Sequence, residues 1–353
     1  MKKLQKDLQS GNHSQAVNVN SPYYNYYNYL PFRTKTNYTA DEINSYINSN
    51  TVGKTNSKLI GLGQNFIDNQ NKYGVNALLA LGVAINESNW GTSNYAINRN
   101  NLFGLNATDN NTNTNTSYYS SPEASIEEFC KNYISRGYAD PGQWRCYGGF
   151  LGNKKLGANV MYASDPYWSE KAVSFAFQLD YQMSGSNISN MKDYNYYQLI
   201  RYNSASTVKD ALGQTLYNVN STLNSGYGAA IGEVAAMVAS NSLNIAGTNS
   251  YEVYGERTTA MNTSTAGPTF GGDYDWKVKA YVNSASIQFI NEGRTKKYKE
   301  DINLDGKIDI TDLAILGQAY NKTETAGDWK DRQDINNDGI IDIYDIVKLS
   351  KKL

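Results

Sequence analysis

Histidine is almost missing from this 353-residue chain: there is one, His13, in a polar stretch near the start. Ser-His-Asp and Cys-His nucleophilic sites need an imidazole base. Zinc hydrolases usually draw two or three histidine ligands. One histidine outside any apolar pattern argues against all of these. Carboxylate chemistry remains, and glycoside hydrolysis is its commonest form. An excess of either charge is also lacking. Thirty-two Lys and Arg face 33 Asp and Glu, for a net charge of -1. That gives no electrostatic case for nucleic acid or an anionic membrane. No apolar run is long enough to span a bilayer, so no transmembrane segment is expected. The opening "MKKLQKDLQSGNH" has the basic start of a signal peptide without its apolar region. A secreted protein would carry a leader not visible here. Two cysteines, Cys130 and Cys146, are too few for a disulfide framework. One bridge and two free thiols both stay open.

What is abundant is tyrosine, with 30 residues, alongside Asn and Ser. Aromatic platforms for sugars are one reading; compositional bias from an AT-rich genome is the plainer one. Residues 1–36 are polar and tyrosine-rich without helical periodicity, and read as an N-terminal arm. Residues 37–185 carry helical patterns. "YTADEINSYINS" opens with Thr39 and has Glu42 three residues on, a capping box. "SKLIGLGQNFIDNQNKYG" stops at Gly74. "NALLALGVAINES" is the most apolar helix. "SPEASIEEFCKNYISRG" has Ser121 as cap, Pro122 next and Gly137 at its end. "DPYWSEKAVSFAFQLDYQM" follows, with Asp165 as its expected cap. The fold class expected is multidomain, with a mainly α first unit. Residues 186–292 read as a linker and a β-rich module, expected to be SH3-like and wall-binding. Tyr274, Trp276, Val278, Ala280 and Val282 are predicted to share one strand face. "GAAIGEVAAMVAS" fits a helix or a buried strand.

Residues 293–353 contain a repeat. "DINLDGKIDITD" returns as "DINNDGIIDIYD" 33 residues later. Oxygen-bearing side chains fall at loop positions one, three, five, nine and twelve, and glycine at six. A hard cation with six to eight oxygen ligands needs this pattern. The ligands expected for two Ca2+ ions are Asp301, Asn303, Asp305, the Lys307 carbonyl, Asp309 and Asp312 in the first loop. In the second they are Asp334, Asn336, Asp338, the Ile340 carbonyl, Asp342 and Asp345. Aspartate at position twelve departs from the EF-hand signature, which has glutamate there. Ile308 and Ile341 are placed to pair the loops. With the apolar runs "LAILGQAYN" and "IVKLSKKL" behind the loops, the segment from about 298 resembles a type I dockerin. The resemblance implies a cohesin partner on a scaffold or surface protein. It also implies that Ile310, Thr311, Ile343 and Tyr344 face that partner. The pairs differ between repeats, which argues against equivalent binding in two orientations.

One acid stands out. Glu87 closes the apolar helix, where burial and the negative end of the helix dipole both favour its protonated form. Gly91 is the expected cap. By local pattern alone Glu87 reads equally as a solvated helix-end residue. The wider string "LLALGVAINESNWGTSNYAINRNNLFGLNATDNN", with "YSSPEASIEEF", "GGFLGNKKLGANV" and "MYASDPYWSEKA" after it, resembles the glucosaminidase domain of bacterial peptidoglycan hydrolases, glycoside hydrolase family 73. The resemblance spans about residues 36–183. It implies a lysozyme-like fold with Glu87 as general acid and Tyr162 as the aromatic site residue. It implies cleavage of the β-1,4 bond on the reducing side of N-acetylglucosamine, with no cofactor needed for catalysis. The second catalytic group stays open between Asp109, Glu123 and the substrate's own N-acetyl group. Trp90, Asn100, Asn101, Phe103 and Trp168 are candidate sugar contacts. Trp144 is a weaker one, and every aromatic among them reads equally as core. The expectation is a secreted, wall-associated hydrolase acting on peptidoglycan. A muramidase or lytic transglycosylase, or an inactive wall-binding scaffold component, is the alternative.

Overall fold

A computed structural model describes residues 25–105, 117–220, 229–259, 273–291, 293, 299–303, 308–330, 332–336 and 338–353, with backbone alone for 239–242. Its first unit is helical. After a one-turn helix α1 (Tyr26–Tyr29) come α2 (Ala40–Asn50), α3 (Gly63–Tyr73), α4 (Ala77–Ser88), α5 (Asn94–Arg99) and α6 (Pro122–Glu128). A π-helical segment (Phe129–Tyr138) continues α6, followed by α7 (Asn159–Tyr162) and α8 (Trp168–Met183). Local chemistry sets these ends as the sequence suggests. Thr39 and Glu42 form both halves of a capping box on α2. Gly74 ends α3 in the left-handed region, and Ser121 caps α6 with Pro122 at its first position. Asp165 does not cap α8 itself. Its Oδ1 accepts the Tyr167 N–H at 2.9 Å and its Oδ2 pairs with Lys171.

The described part of the arm is not an arm. Tyr26, Tyr27, Tyr29, Leu30 and Phe32 are buried in the helical core. Tyr27 and Tyr38 donate their hydroxyls to Asp180 on α8. Residues far apart in sequence supply this partner, so local periodicity could not announce it. At the centre α4 packs on α8. A Cβ on Gly82 would lie 2.5 Å from the Ala172 carbonyl oxygen, so only glycine permits this approach.

Among the described residues, eight strands form one sheet in the order β4-β3-β2-β7-β6-β5-β1-β8. They are β1 (Leu199–Tyr202), β2 (Ser206–Lys209), β3 (Thr215–Asn220), β4 (Ala229–Ala230), β5 (Val234–Ile245), β6 (Thr248–Val253), β7 (Ala280–Asn283) and β8 (Ile287–Phe289). "VAAMVAS" is thus strand, within the long β5. The strand predicted from Tyr274 is corrected: β7 begins only at Ala280. Tyr274 and Trp276 instead turn onto the helical unit, where the Trp276 indole donates to the Asn71 carbonyl at 2.9 Å. Alternation there is an accident of an interface.

That interface contains buried charge. Arg257 holds Asp140 through two bonds, Nε to Oδ1 at 2.6 Å and Nη2 to Oδ2 at 3.2 Å, with both side chains fully buried. Arg33, also buried, donates to the carbonyls of Tyr73, Ser135 and Glu256. Glu256 and Glu233 are both buried, and Glu256 Oε1 accepts the Gly149 N–H at 3.4 Å. Two arginines thus face three carboxylates. Burial pushes both glutamates up, with their mutual repulsion added for Glu233, and Glu256 reaches about 7.

Among its described residues the last unit has two helices, α9 (Ile310–Gln318) and α10 (Ile343–Ser350), over a small core of Ile302, Leu316, Ala319, Ile335, Ile341 and Leu349. Cys130 and Cys146 are buried and unbridged. No helix among the described residues is long and apolar enough to cross a membrane.

Candidate active site and calcium loops

Glu87 lies in the last turn of α4. That helix starts where Asn76 Oδ1 accepts the N–H groups of Leu78 and Leu79, and it is buried continuously from Ala77 to Ile85. Its end is unusual. Asn89, Trp90 and Gly91 have φ of 48°, 61° and 74° in succession. Asn89, not Gly91, is the cap. Two non-glycine residues in this region cost about 1 kcal/mol or more each, and such strain gathers at functional sites. Here Ser88 Oγ accepts the Gly91 N–H at 2.7 Å and Ser57 Oγ donates to the Trp90 carbonyl at 2.6 Å. The clamp turns the chain sharply just past the acid.

The Glu87 side chain is half-buried. Its Oε1 accepts the Trp168 indole N–H at 2.5 Å and an Asn86 amide N–H at 3.4 Å. Its Oε2 faces Gly104: a Cβ added there would lie 3.4 Å away. Burial raises the pKa, and the bonds from Trp168 and Asn86 pull it back only in part. The net direction is upward, as a proton donor at neutral pH requires.

Around the acid stands an aromatic wall. Tyr162 stacks on Trp168 with centroids 4.4 Å apart and planes at 22°. Its hydroxyl donates to the Phe103 carbonyl at 3.2 Å. The Phe103 ring stacks on Phe129 at 3.9 Å and 7°. Glu87, Phe103, Tyr162 and Trp168 therefore come together. Phe103 and Trp168 are buried, leaving Tyr162 half-exposed. Asn101 is buried and builds the turn: Oδ1 accepts the N–H groups of Phe103 and Leu105, and Nδ2 donates to the Leu105 and Ser117 carbonyls. Asn100 caps α5 and donates to the Tyr119 carbonyl. Trp90 packs on Tyr46 and Phe175. Glu123 is exposed in the first turn of α6. Trp144 is also exposed. Asp109 lies outside the described residues. Asn86, Gly104 and Phe129 join the site without having been singled out. The Gly104 signal was in "NNLFG", where a glycine after a buried aromatic marks a close approach.

In the C-terminal unit Asp305 and Lys307 lie outside the described residues. Among the described ones, no three acidic, histidine or cysteine side chains converge at metal-binding distance. The second loop is nevertheless organised as a cation loop would be. Asp334 accepts the N–H groups of Asp338 and Gly339, and Asn336 Oδ1 accepts that of Asp338. Gly339 has φ of 88° at the sharp turn. Asp345, fully buried, accepts from Asn336 and Asp342, and Asp312 likewise from Asn303 and Asp309. Asp301 is buried as well. Asp309 and Asp342 cap α9 and α10. The donors are oxygens throughout, including the Ile340 carbonyl, so the residues fit a hard divalent cation.

Comparison with known proteins finds two family matches. Residues 63–180 match the family model described as mannosyl-glycoprotein endo-beta-N-acetylglucosaminidase, and residues 299–353 match the type I dockerin domain. Two proteins described as putative endo-beta-N-acetylglucosaminidases, from two strains of Streptococcus pneumoniae, are each 35% identical over 152 residues. The match takes in 43% of this chain and 22% and 20% of theirs, so the chain spans about a fifth of these relatives. A catalytic mutant of S. aureus autolysin E, in complex with the disaccharide NAG-NAM, is 20% identical over 45% of this chain and 73% of its own, with a TM-score of 0.32.

Proposed function

We propose that this chain, which carries a glucosaminidase domain of the glycoside hydrolase class and a type I dockerin domain, is an extracellular peptidoglycan hydrolase. It cleaves the β-1,4 bond on the reducing side of N-acetylglucosamine. One observation carries the reading: a carboxyl biased toward its protonated form by burial, held by an indole and walled by Tyr162. Glu87 protonates the glycosidic oxygen as the bond breaks. Asp109 or the substrate's N-acetyl oxygen stabilises the cation that develops on the other side. Glu123, exposed on α6, fits that role less well.

In the C-terminal unit, Asp334, Asn336, Asp338, the Ile340 carbonyl, Asp342 and Asp345 would hold one Ca2+. The matching first-loop residues would hold a second. The ion ties the loop ends together and so contributes to folding. Ile310, Ile343 and Tyr344 are exposed on the outer faces of α9 and α10, as a cohesin-docking surface requires. The β-rich module would contribute wall binding.

Digestion of purified peptidoglycan followed by mass spectrometry tests the activity. The expected products end in reducing N-acetylglucosamine, and Glu87→Gln should lower the rate at least about a hundredfold. Anhydro-muramic ends, reducing muramic ends or an active Glu87→Gln variant would each overturn the assignment.

A further inference from the structure

We propose that Trp168 is not a sugar platform but a positioning residue. By this reading its indole N–H occupies Oε1 of Glu87 and so assigns the transferable proton to Oε2, the oxygen that faces Gly104. The inference rests on the proposed role of Glu87 and says how that acid is aimed.

A platform needs an open face. Trp168 is 4% exposed, and one face of its ring is covered by Tyr162 at 4.4 Å. What it offers is its single donor. An indole N–H can only donate. It bonds best to the carbonyl oxygen of a neutral carboxyl, so the proton of Glu87 is favoured on the other one. The Asn86 amide donates to the same Oε1, which adds to the preference. Among the described residues Oε2 faces Gly104, whose missing side chain leaves room beside that oxygen.

The fold holds this arrangement from two sides. Gly82 and Ala172 touch where α4 and α8 cross. Five residues on from Gly82 lies Glu87, and four residues before Ala172 lies Trp168. Two antiparallel helices in contact thus bring acid and indole together one turn past their crossing. From the other side, the Tyr162 hydroxyl bond to the Phe103 carbonyl ties the stacked pair to the turn carrying Gly104.

A donor that prefers the carboxylate also lowers the pKa, and this one opposes the burial that raises it. Trp168 therefore sets how far the acid's working range extends toward alkali.

The test uses the full-length protein with indole-15N labelling. The Trp168 Nε1–H resonance should move with pH through a single titration, and that titration should vanish in Glu87→Gln. Trp168→Phe keeps the ring stack but loses the donor. Its alkaline limb of kcat should move up by about one pH unit, with kcat reduced about tenfold or more and KM changed less than threefold. A pH-invariant indole resonance, or an unmoved alkaline limb, would overturn the proposal. The two readings fail separately. If Glu87→Gln keeps its turnover, the catalytic assignment falls even when the indole titrates. If Glu87→Gln is inactive but the indole does not titrate, only the positioning role falls. Should Trp168→Phe fold poorly, the wild-type titration decides alone.

Discussion

Glu256→Gln should make the protein less sensitive to alkali. The side chain is buried at the junction of the helical unit and the sheet, beside Glu233 and the Arg33 and Arg257–Asp140 groups. Tyr217 accepts its backbone N–H, and Tyr202 and Cys146 lie close enough to share the field. An acid whose folded-state pKa is raised binds its proton more tightly in the native state than in the unfolded one. Its contribution is intact below the unfolded value, about 4.3, and is lost as pH rises through the folded one. For Glu256 the folded value is about 7. Between pH 5 and pH 8 the unfolded chain has released this proton while the native state gives it up late. At about 1.4 kcal/mol per unit, Glu256 alone removes about 3 kcal/mol over that window. That is a sizeable part of a typical total stability of about 5–15 kcal/mol. Glutamine keeps an oxygen for the Gly149 N–H and cannot titrate. Urea unfolding followed by tryptophan fluorescence at the two pH values measures the difference. Trp276, which bridges the junction, is a local reporter. Wild type should lose about 3 kcal/mol more than the variant on going to pH 8. Equal losses, or a wild type that gains stability toward pH 8, would refute the electrostatic account of the junction. Raised acids away from the junction, Asp193 at about 6 among them, contribute to both proteins and cancel; Glu233 loses the repulsion of Glu256 in the variant, so its own raised pKa falls and the difference between the two proteins widens in the same direction.

Two further outcomes are expected. Chelation of Ca2+ should unfold residues 299–353 while the helical unit persists, visible as partial loss of helical circular dichroism and new proteolysis there; an unchanged spectrum would count against metal-dependent folding of so small a core. Gly104→Ala places a methyl 3.4 Å from Glu87 Oε2 at a φ of 60°, so it should lower stability by about 1 kcal/mol and turnover about tenfold; wild-type rate with unchanged melting would show that the acid does not work on that side.

Much of this protein is determined locally. Near-absence of histidine pointed to carboxylate chemistry before any motif was read. Thr39 with Glu42, Ser121 with Pro122, and Gly74 fixed helix ends because capping depends on neighbours within a turn. The repeated Asp/Asn loops announced an oxygen-donor site because a cation needs its ligands at fixed spacing along one short loop. Glu87 ended an apolar helix, but its local pattern fitted a solvated residue equally well, and the longer string around it carried the resemblance.

Tertiary structure decided the rest, because it depends on distance in space and not along the chain. Tyr26, Tyr27 and Phe32 read as a polar arm's residues and became core once α8 and Asp180 lay beside them. Tyr274 and Trp276 alternated like a strand and instead meet the helical unit, since alternation records which residues are buried but not against what. Trp168 read as either a sugar contact or a core ring. Only the close crossing of α4 and α8, which Gly82 permits, turned its N–H onto Glu87, 81 residues away.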